Sequence, residues 1–317
     1  MAEKGQVNCH CCSGNCRKSG SYRNRNRIVQ RYACDRCGKS FSESQPLDGL
    51  RVDFKRAAQV VHLLCEGMGI RAIERFTQLN RRTVLGILET AGEKCARLLD
   101  AKVRNVKTDE IQADEIHTFV GCKAANTTAD DMERGDFFSY LAISRHSKLI
   151  ISSLVGKRTG ENTDLFLSDL RQRVNGTFQL TTDAAQIYCG WNGVRKAFGN
   201  SITYATETKY FGKPVNFVNR RLIGVKRIRR IGKPDMRVAT TCHCERTNLS
   251  VRTFTRRFTR CTLGYSKKAD NLKHAVAMFV AHFNFCRVHS ANGLTPAHTA
   301  GLTDHTWTIE EMLESAI

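Results

Sequence analysis

The sequence predicts a mixed α/β core in βββαβαβα order, preceded by a small cysteine-built module and a unit of short helices. Three observations lead there. Two Cys-x-x-Cys pairs fall within the first 40 residues, hydrophobic spacing turns helical from about Asp53, and beyond Ile111 short β-branched runs alternate with amphipathic stretches. The division expected is 1–45 for the cysteine module, 50–100 for the helices, 108–290 for the core with a basic insertion at 207–243, and 291–317 for a tail.

At 317 residues the chain can bury a substantial core. Lys and Arg number 50 against 30 Asp and Glu, a formal charge of +20 that favours a polyanionic partner, nucleic acid before an anionic membrane surface. No basic amphipathic helix or lipidation signal supports the membrane, and no apolar run approaches the ~20 residues of a spanning helix. The opening residues, Met1 to Gln6, carry no signal-peptide apolar stretch, so the cytoplasm is the expected compartment. There the 14 cysteines are expected as thiols and metal ligands rather than disulfides.

Cys9-x-x-Cys12 and Cys34-x-x-Cys37 form two knuckles. Each can present two sulfurs at about 2.3 Å to one structural Zn²⁺, which supplies folding energy to a segment almost without apolar residues. Cys11 or Cys16 could stand in for Cys12. Between the knuckles Arg17, Lys18, Arg23, Arg25, Arg27 and Arg31 make a basic ribbon, suited to phosphates or simply solvated.

Ala57, Val60, Val61 and Leu64 then share a helix face; Gly67-Met-Gly69 breaks it, Ile70 to Phe76 starts a second helix, and Asn80 caps a third from Arg81. This is helix-turn-helix spacing, with Arg81, Arg82 and Thr83 in the exposed first turn of the third helix, where side chains reach bases and phosphates. Three helices packed for their own sake would read similarly. Residues 90–108 read as the end of this unit and a linker.

Ile111 to Gly121 reads as a buried strand carrying Asp114 and Glu115 at its middle. Carboxylates in such a strand call for a partner, either a bound cation or Lys and Arg at an edge. Phe137 to Ser144 and Lys148 to Val155 complete an antiparallel meander; Asn162 to Val174 is a helix, Phe178 to Thr182 a strand ending at Asp183, Gln186 to Phe198 a helix and Ile202 to Ala205 a strand. That order, with one acid in the first strand and another just past the fourth, matches a ribonuclease H-like core. Asp183 stands at the carboxyl end of its strand, where open sheets bind ligands, and could equally cap the next helix. Residues 207–243 show no clear period and carry Lys226, Arg227, Arg229, Arg230 and Lys233, a candidate DNA-facing insertion or a solvated charge run. Glu245 precedes Arg252, Arg256, Arg257 and Arg260, spaced as one basic helix face; it could pair with one of them or join the acids as a third carboxylate. Asn271 to Phe285 closes the core as an amphipathic helix, and His289 after it reads as structural.

In order, these motifs run Gln30-Arg-Tyr-x-Cys-x-x-Cys-Gly-Lys-x-Phe41, the helical triplet, Asp114-Glu-x-x-x-Phe-Val-Gly121, Thr182-Asp183, Glu245-Arg-x-Asn248, Asn284-Phe-x-Arg-x-His289, Thr295-Pro-Ala297 and Gly301-Leu-Thr-Asp304. The set resembles bacterial insertion-sequence transposases with a DDE core, the insertion sequence one family in particular. The resemblance implies that Asp114, Asp183 and Glu245 are the catalytic triad of a transposase that binds the terminal inverted repeats of its own element and target DNA, in the nucleoid. His117 and Ala184 depart from the family's usual Trp and Gly, and neither is a metal ligand.

The chemistry fits the residues: two Mg²⁺ (or Mn²⁺) ions about 3.5 to 4 Å apart, held by three carboxylates, activate water and then a 3′ hydroxyl for attack on phosphodiesters. Asp114 is expected to bridge both ions, with Glu115 its rival, since neighbours on a strand point to opposite faces and only one can join the site. Joining two DNA ends calls for at least a dimer. A DNA-binding regulator with a dead core, or a nuclease that cuts without joining, would share most of these features.

Overall fold

The computed structural model describes residues 7, 9, 12, 14–23, 28–42, 47, 50, 52–128, 131–190, 193–212 and 221–315. Cys11, Arg25, Arg27 and part of the expected basic insertion, 213–220, lie outside them. The chain falls into two compact units, Met1–Ala57 and Ala58–Ile317.

The first unit is a small antiparallel sheet of β1 (Cys16–Arg23), β2 (Ile28–Cys34) and β3 (Ser40–Ser42) in that order. Strand β1 is exposed nearly throughout, and β2 buries only Val29 and Cys34. That is little apolar surface for a sheet to bury.

Helix α1 (Phe54–Cys65) leads into the second unit, followed by α2 (Ile70–Thr77) and α3 (Arg81–Lys102). Asn80 caps α3, its Oδ1 accepting from Arg82 N–H at 2.9 Å, and Glu74 Oε1 accepts from Arg81 N–H at 2.9 Å. Val84, Leu88, Ala91, Cys95 and Leu98 keep one face of α3 buried to its end, so of the stretch expected as the end of this unit and a linker, residues 90–102 belong to the helix. α3 lies along a later helix at Gly92, where the backbones come too close for any side chain.

The core is a six-stranded mixed sheet. β4 (Glu110–Val120), β5 (Gly135–Ser144) and β6 (Ile150–Gly156) form an antiparallel meander; α4 (Gly160–Arg173) then crosses to β7 (Gln179–Asp183), parallel to β4. The stretch expected as one helix, 186–198, is two short ones, α5 (Gln186–Cys189) and α6 (Val194–Phe198). Gly190 and Gly193 separate them; a Cβ at Gly193 would sit 2.2 Å from the Tyr188 carbonyl oxygen.

β8 (Thr203–Phe211) runs parallel to β7 and turns back as β9 (Leu222–Ile231), giving the order β6-β5-β4-β7-β8-β9. Residues 207–211 and 222–231 are therefore sheet and not an aperiodic insertion. β9 is the edge strand and exposed on both faces, so no buried face imposes the alternation that would reveal it.

α7 (Cys242–Phe254) packs on β4 and β5. It ends at Thr255, whose backbone is extended, and Arg256 and Arg257 fall in a 3₁₀ turn, Arg256–Phe258. The expected single basic helix face does not form. α8 (Ala269–Ala281) packs on α3 and β6 and widens into a π-helical turn, His282–Cys286. Within it, buried Asn284 pairs with both backbone groups of Ile150, at 2.9 and 2.8 Å. Two short helices, α9 (Pro296–Thr299) and α10 (Ile309–Glu314), finish the chain. His289 packs edge-on against Phe283, and its backbone N–H donates to the Leu294 carbonyl at 2.9 Å. Among the described residues no helix is long and apolar enough to cross a membrane.

Candidate active site

The β4–β7 ladder ends at Ala113 and Thr182, and the next residues are Asp114 and Asp183. Alternate residues of a strand share a face, and Gln112 and Asp114 both face α7. Gln112 Oε1 accepts from the N–H groups of His243 and Cys244 at 2.9 and 3.1 Å, while Asp114 Oδ2 accepts from Asn248 Nδ2 at 2.8 Å. Glu115 leaves from the other face, where its Oε1 accepts from Arg158 Nε at 3.2 Å and its side chain is 3% exposed.

Nevertheless both acids reach one place, which corrects the expectation that only one can. One carboxylate oxygen from each of Asp114, Glu115 and Asp183 lies within 4.8 Å of the others. Between Ala113 and Val120, where Ser266 bridges to the strand, the β7 side of β4 has no ladder partner among the described residues, and side chains from the two faces can converge around that edge.

Their acidities record the crowding. Burial pushes Asp114 up to about 7, with the charges of Asp183 and Glu245 adding to it. Burial also pushes Glu115 up to about 7, Asp183 again adding and Arg158 opposing. Buried Tyr188 feels all three acids, and its hydroxyl has no hydrogen-bond partner among the described residues. A close set of hard oxygen donors with too little positive charge of its own suits a divalent cation bound through oxygen.

Asp183 Oδ1 also accepts from Ala185 N–H at 3.0 Å, a bond within the turn that leads to α5; the N-cap of that helix is Ala185, so Asp183 does not cap it. Glu245, in the first turn of α7, stands outside the group of three. Its Oε1 accepts from Thr241 Oγ1 at 3.0 Å and pairs with Lys209 of β8, not with a helix arginine.

Glu207 and Asn248 were not singled out in the sequence as site residues. Glu207 pairs with Asp183 in the β7–β8 ladder, is 3% exposed, and accepts from Arg227 Nε at 2.9 Å, Thr240 Oγ1 at 3.1 Å and Thr241 N–H at 3.1 Å. It thereby holds the start of α7, and with it Glu245, against the sheet. A strand read to end at Ala205 could not reveal it.

Among the residues expected to meet DNA, Arg81 and Arg82 are exposed and Thr83 half-buried at the start of α3. Lys226, Arg227, Arg229 and Arg230 line β9, but Arg227 is engaged with Glu207, and Arg230 Nε donates to Thr206 Oγ1 at 3.2 Å. Arg252 donates to the Phe258 carbonyl at 3.3 Å; Arg256 is exposed and Arg257 half-buried.

In the first unit the Sγ atoms of Cys9, Cys12, Cys34 and Cys37 lie within 4.8 Å of one another, with Cys12 to Cys34 at 3.5 Å and Cys9 to Cys37 at 3.7 Å. Cys16 Sγ turns instead to the Gly14 carbonyl at 3.6 Å. The N–H groups of Cys37 and Arg36 point at Cys34 Sγ and hold its thiol down to about 6. Four thiols so gathered can bind zinc.

No protein-family model matches the chain, and no curated protein matches it in sequence. Among solved structures it is similar to the piggyBac transposase in a synaptic complex with hairpin DNA, at 8% identity over 86% of this chain and 72% of that one, with a TM-score of 0.32. So slight a likeness carries no weight for fold or function.

Proposed function

We propose that the chain is a transposase, which binds the terminal inverted repeats of its own insertion sequence and catalyses metal-dependent DNA strand cleavage and strand transfer. The observation that carries this reading is the approach of Asp114, Glu115 and Asp183 to within 4.8 Å just past the last rung of the parallel β4–β7 ladder. In this reading the core is ribonuclease H-like, and Asp114, Asp183 and Glu245 hold two Mg²⁺ or Mn²⁺ ions. Such ions, when bound, activate the attacking oxygen and stabilise the leaving one.

The chain's own side chains prepare that place. The Glu115 N–H, at 2.9 Å, and Asn248 each hold one oxygen of Asp114, which fixes the carboxylate plane. Arg158 balances Glu115, and Lys209, between Glu207 and Glu245, keeps the third carboxylate close enough for its charge to act on Asp114. No protein nucleophile is needed.

The remaining parts take supporting roles: residues 1–45 as a zinc ribbon and 50–100 as a helix-turn-helix presenting Arg81, Arg82 and Thr83 to the repeats. Residues 108–290 form the catalytic domain and 291–317 its tail. Lys226, Arg227, Arg229, Arg230, Arg252, Arg256 and Arg257 supply phosphate contacts, with Arg227 divided between DNA and Glu207. Two DNA ends joined in one reaction require at least a dimer, working in the cytoplasm at the nucleoid.

The test is incubation with Mg²⁺ and a labelled fragment carrying the repeats that flank the gene, beside Asp183→Ala and Asp114→Asn. Joined strands from wild type alone support the reading, and cleavage without joining makes the protein a nuclease. Specific binding with neither product makes it a regulator, a reading favoured by the Lys209 ammonium that engages Glu245.

A further inference from the structure

Beyond the acids, β4 runs on to a cavity of about 880 Å³. His117, Thr118 and Phe119 form one wall, three to five residues past Asp114, or roughly 10 to 17 Å along the strand. The segment after α7 forms the other wall and is tied to β4. Thr118 Oγ1 donates to the Arg257 carbonyl at 3.0 Å, and Gly121 N–H donates to the Ser266 carbonyl at 2.8 Å.

The lining combines two chemistries. Lys123, Arg252, Arg257 and Arg260 contribute positive charge, and no carboxylate lines the cavity among the described residues. Phe119 and Tyr265 present aromatic surface, their ring centres 4.3 Å apart, with Lys267 Nζ 3.1 Å from the Tyr265 ring centre. Arg257 Nε is buried and has no partner among the described residues. Burial pushes this guanidinium down to about 10. The cationic side chains of the lining suit an anion, and the aromatic pair beside them suits a flat apolar group.

We propose that this cavity holds one unpaired nucleotide of single-stranded or frayed DNA, its base against Phe119 and Tyr265 and its phosphate on Arg257 and Arg260. A duplex keeps its bases stacked away from such a wall, and an acidic peptide satisfies the cations but leaves the rings idle. A volume of this size takes a single small-molecule-sized unit. The proposal rests on the transposase reading only in its choice of DNA as the polymer, and it makes no use of the carboxylates.

The experiment is therefore metal-free. An eight-nucleotide single strand carrying 2-aminopurine, its duplex form and a polyglutamate peptide are titrated into the full-length protein in buffer without divalent ions. Wild type is expected to quench 2-aminopurine and to prefer the single strand. Tyr265→Ala should weaken single-strand binding about tenfold with duplex affinity within about twofold, and Tyr265→Phe should retain binding. Arg260→Gln, at an exposed position, should lower the salt slope of single-strand binding by about one. Equal losses on both DNA forms, no loss in either variant, or peptide binding as tight as DNA overturns the proposal. Catalytic failure in the cleavage assay does not bear on it, because no step of this titration needs the acids.

Discussion

Asn248, one turn after Glu245 on α7, donates from Nδ2 to Asp114 Oδ2 at 2.8 Å and so joins the helix to the strand across 134 residues of sequence. With the Glu115 N–H on Oδ1, both oxygens of Asp114 are held in place. Partners of this kind, removed from ligating side chains, cost about 10- to 100-fold in metal affinity or activity. Asn248→Ala is expected to lower Mn²⁺ affinity and strand cleavage in that range with DNA binding unchanged. Calorimetric titration of Mn²⁺ into the variant checks this, and unchanged affinity with unchanged cleavage refutes it.

The raised acidities of Asp114 and Glu115 make a pH prediction whose sign is fixed. Both titrate at about 7 in the fold against ordinary values of 3.8 and 4.5, so the fold prefers their protonated forms. Their contribution to stability is fully present below pH 4 and is lost as pH rises from about 4 through about 7. In metal-free buffer the melting temperature should fall across that window, and Glu115→Gln should flatten the fall. Taking wild type minus variant cancels any zinc lost from the first unit. Added Mn²⁺ should restore the wild type at pH 8 and do little at pH 5, where the site binds protons instead. Parallel melting curves for the two proteins would sink the assignment.

The sequence revealed whatever had a buried face or a fixed spacing. β4 with its two acids, the meander, the turn at Asp183 and the paired cysteines each left a local pattern. Convergence left none: Asp114 and Glu115 are adjacent on a strand, and only the early end of the β7 ladder lets both side chains reach Asp183. Nor did the β8–β9 pair stand out, since its outer strand is exposed on both faces and its cations look like a solvated run. Glu207 was hidden with it, though it is the more buried acid and holds the start of α7. Arg256 and Arg257 misled by spacing alone, for i, i+4 periodicity continues on paper past the residue where extended Thr255 ends the helix.

The four gathered thiols predict a zinc-dependent module. The N–H groups of Cys37 and Arg36 lower the pKa of the Cys34 thiol, which favours it as a ligand. Cys34→Ser is expected to abolish a stoichiometric zinc signal in atomic absorption and to open residues 1–57 to trypsin. Residues 58–317 should melt as before, because they form a unit of their own. Full zinc occupancy in the variant would show that Cys34 is not a required ligand.

The crossing of α3 and α8 turns on Gly92. A Cβ there would lie 2.4 Å from His274 Cβ, 2.6 Å from its Cα and 2.8 Å from its carbonyl oxygen. Two of those atoms are backbone and cannot swing away, so the helices would have to move apart. Alanine gains about 1 kcal/mol in helix propensity, while overpacking a fitted interface costs about 1 to 3 kcal/mol. Packing therefore wins, and Gly92→Ala is expected to destabilise the second unit by about 1 kcal/mol, with a bulkier Gly92→Val worse. Gly160, in the first turn of α4, has nothing within 4 Å of its would-be Cβ, so Gly160→Ala should be neutral or stabilising by a few tenths of a kcal/mol. Urea unfolding of the two alanine variants beside wild type separates the effects: a midpoint for Gly92→Ala at or above that of Gly160→Ala would mean that the α3–α8 crossing is not as close as described.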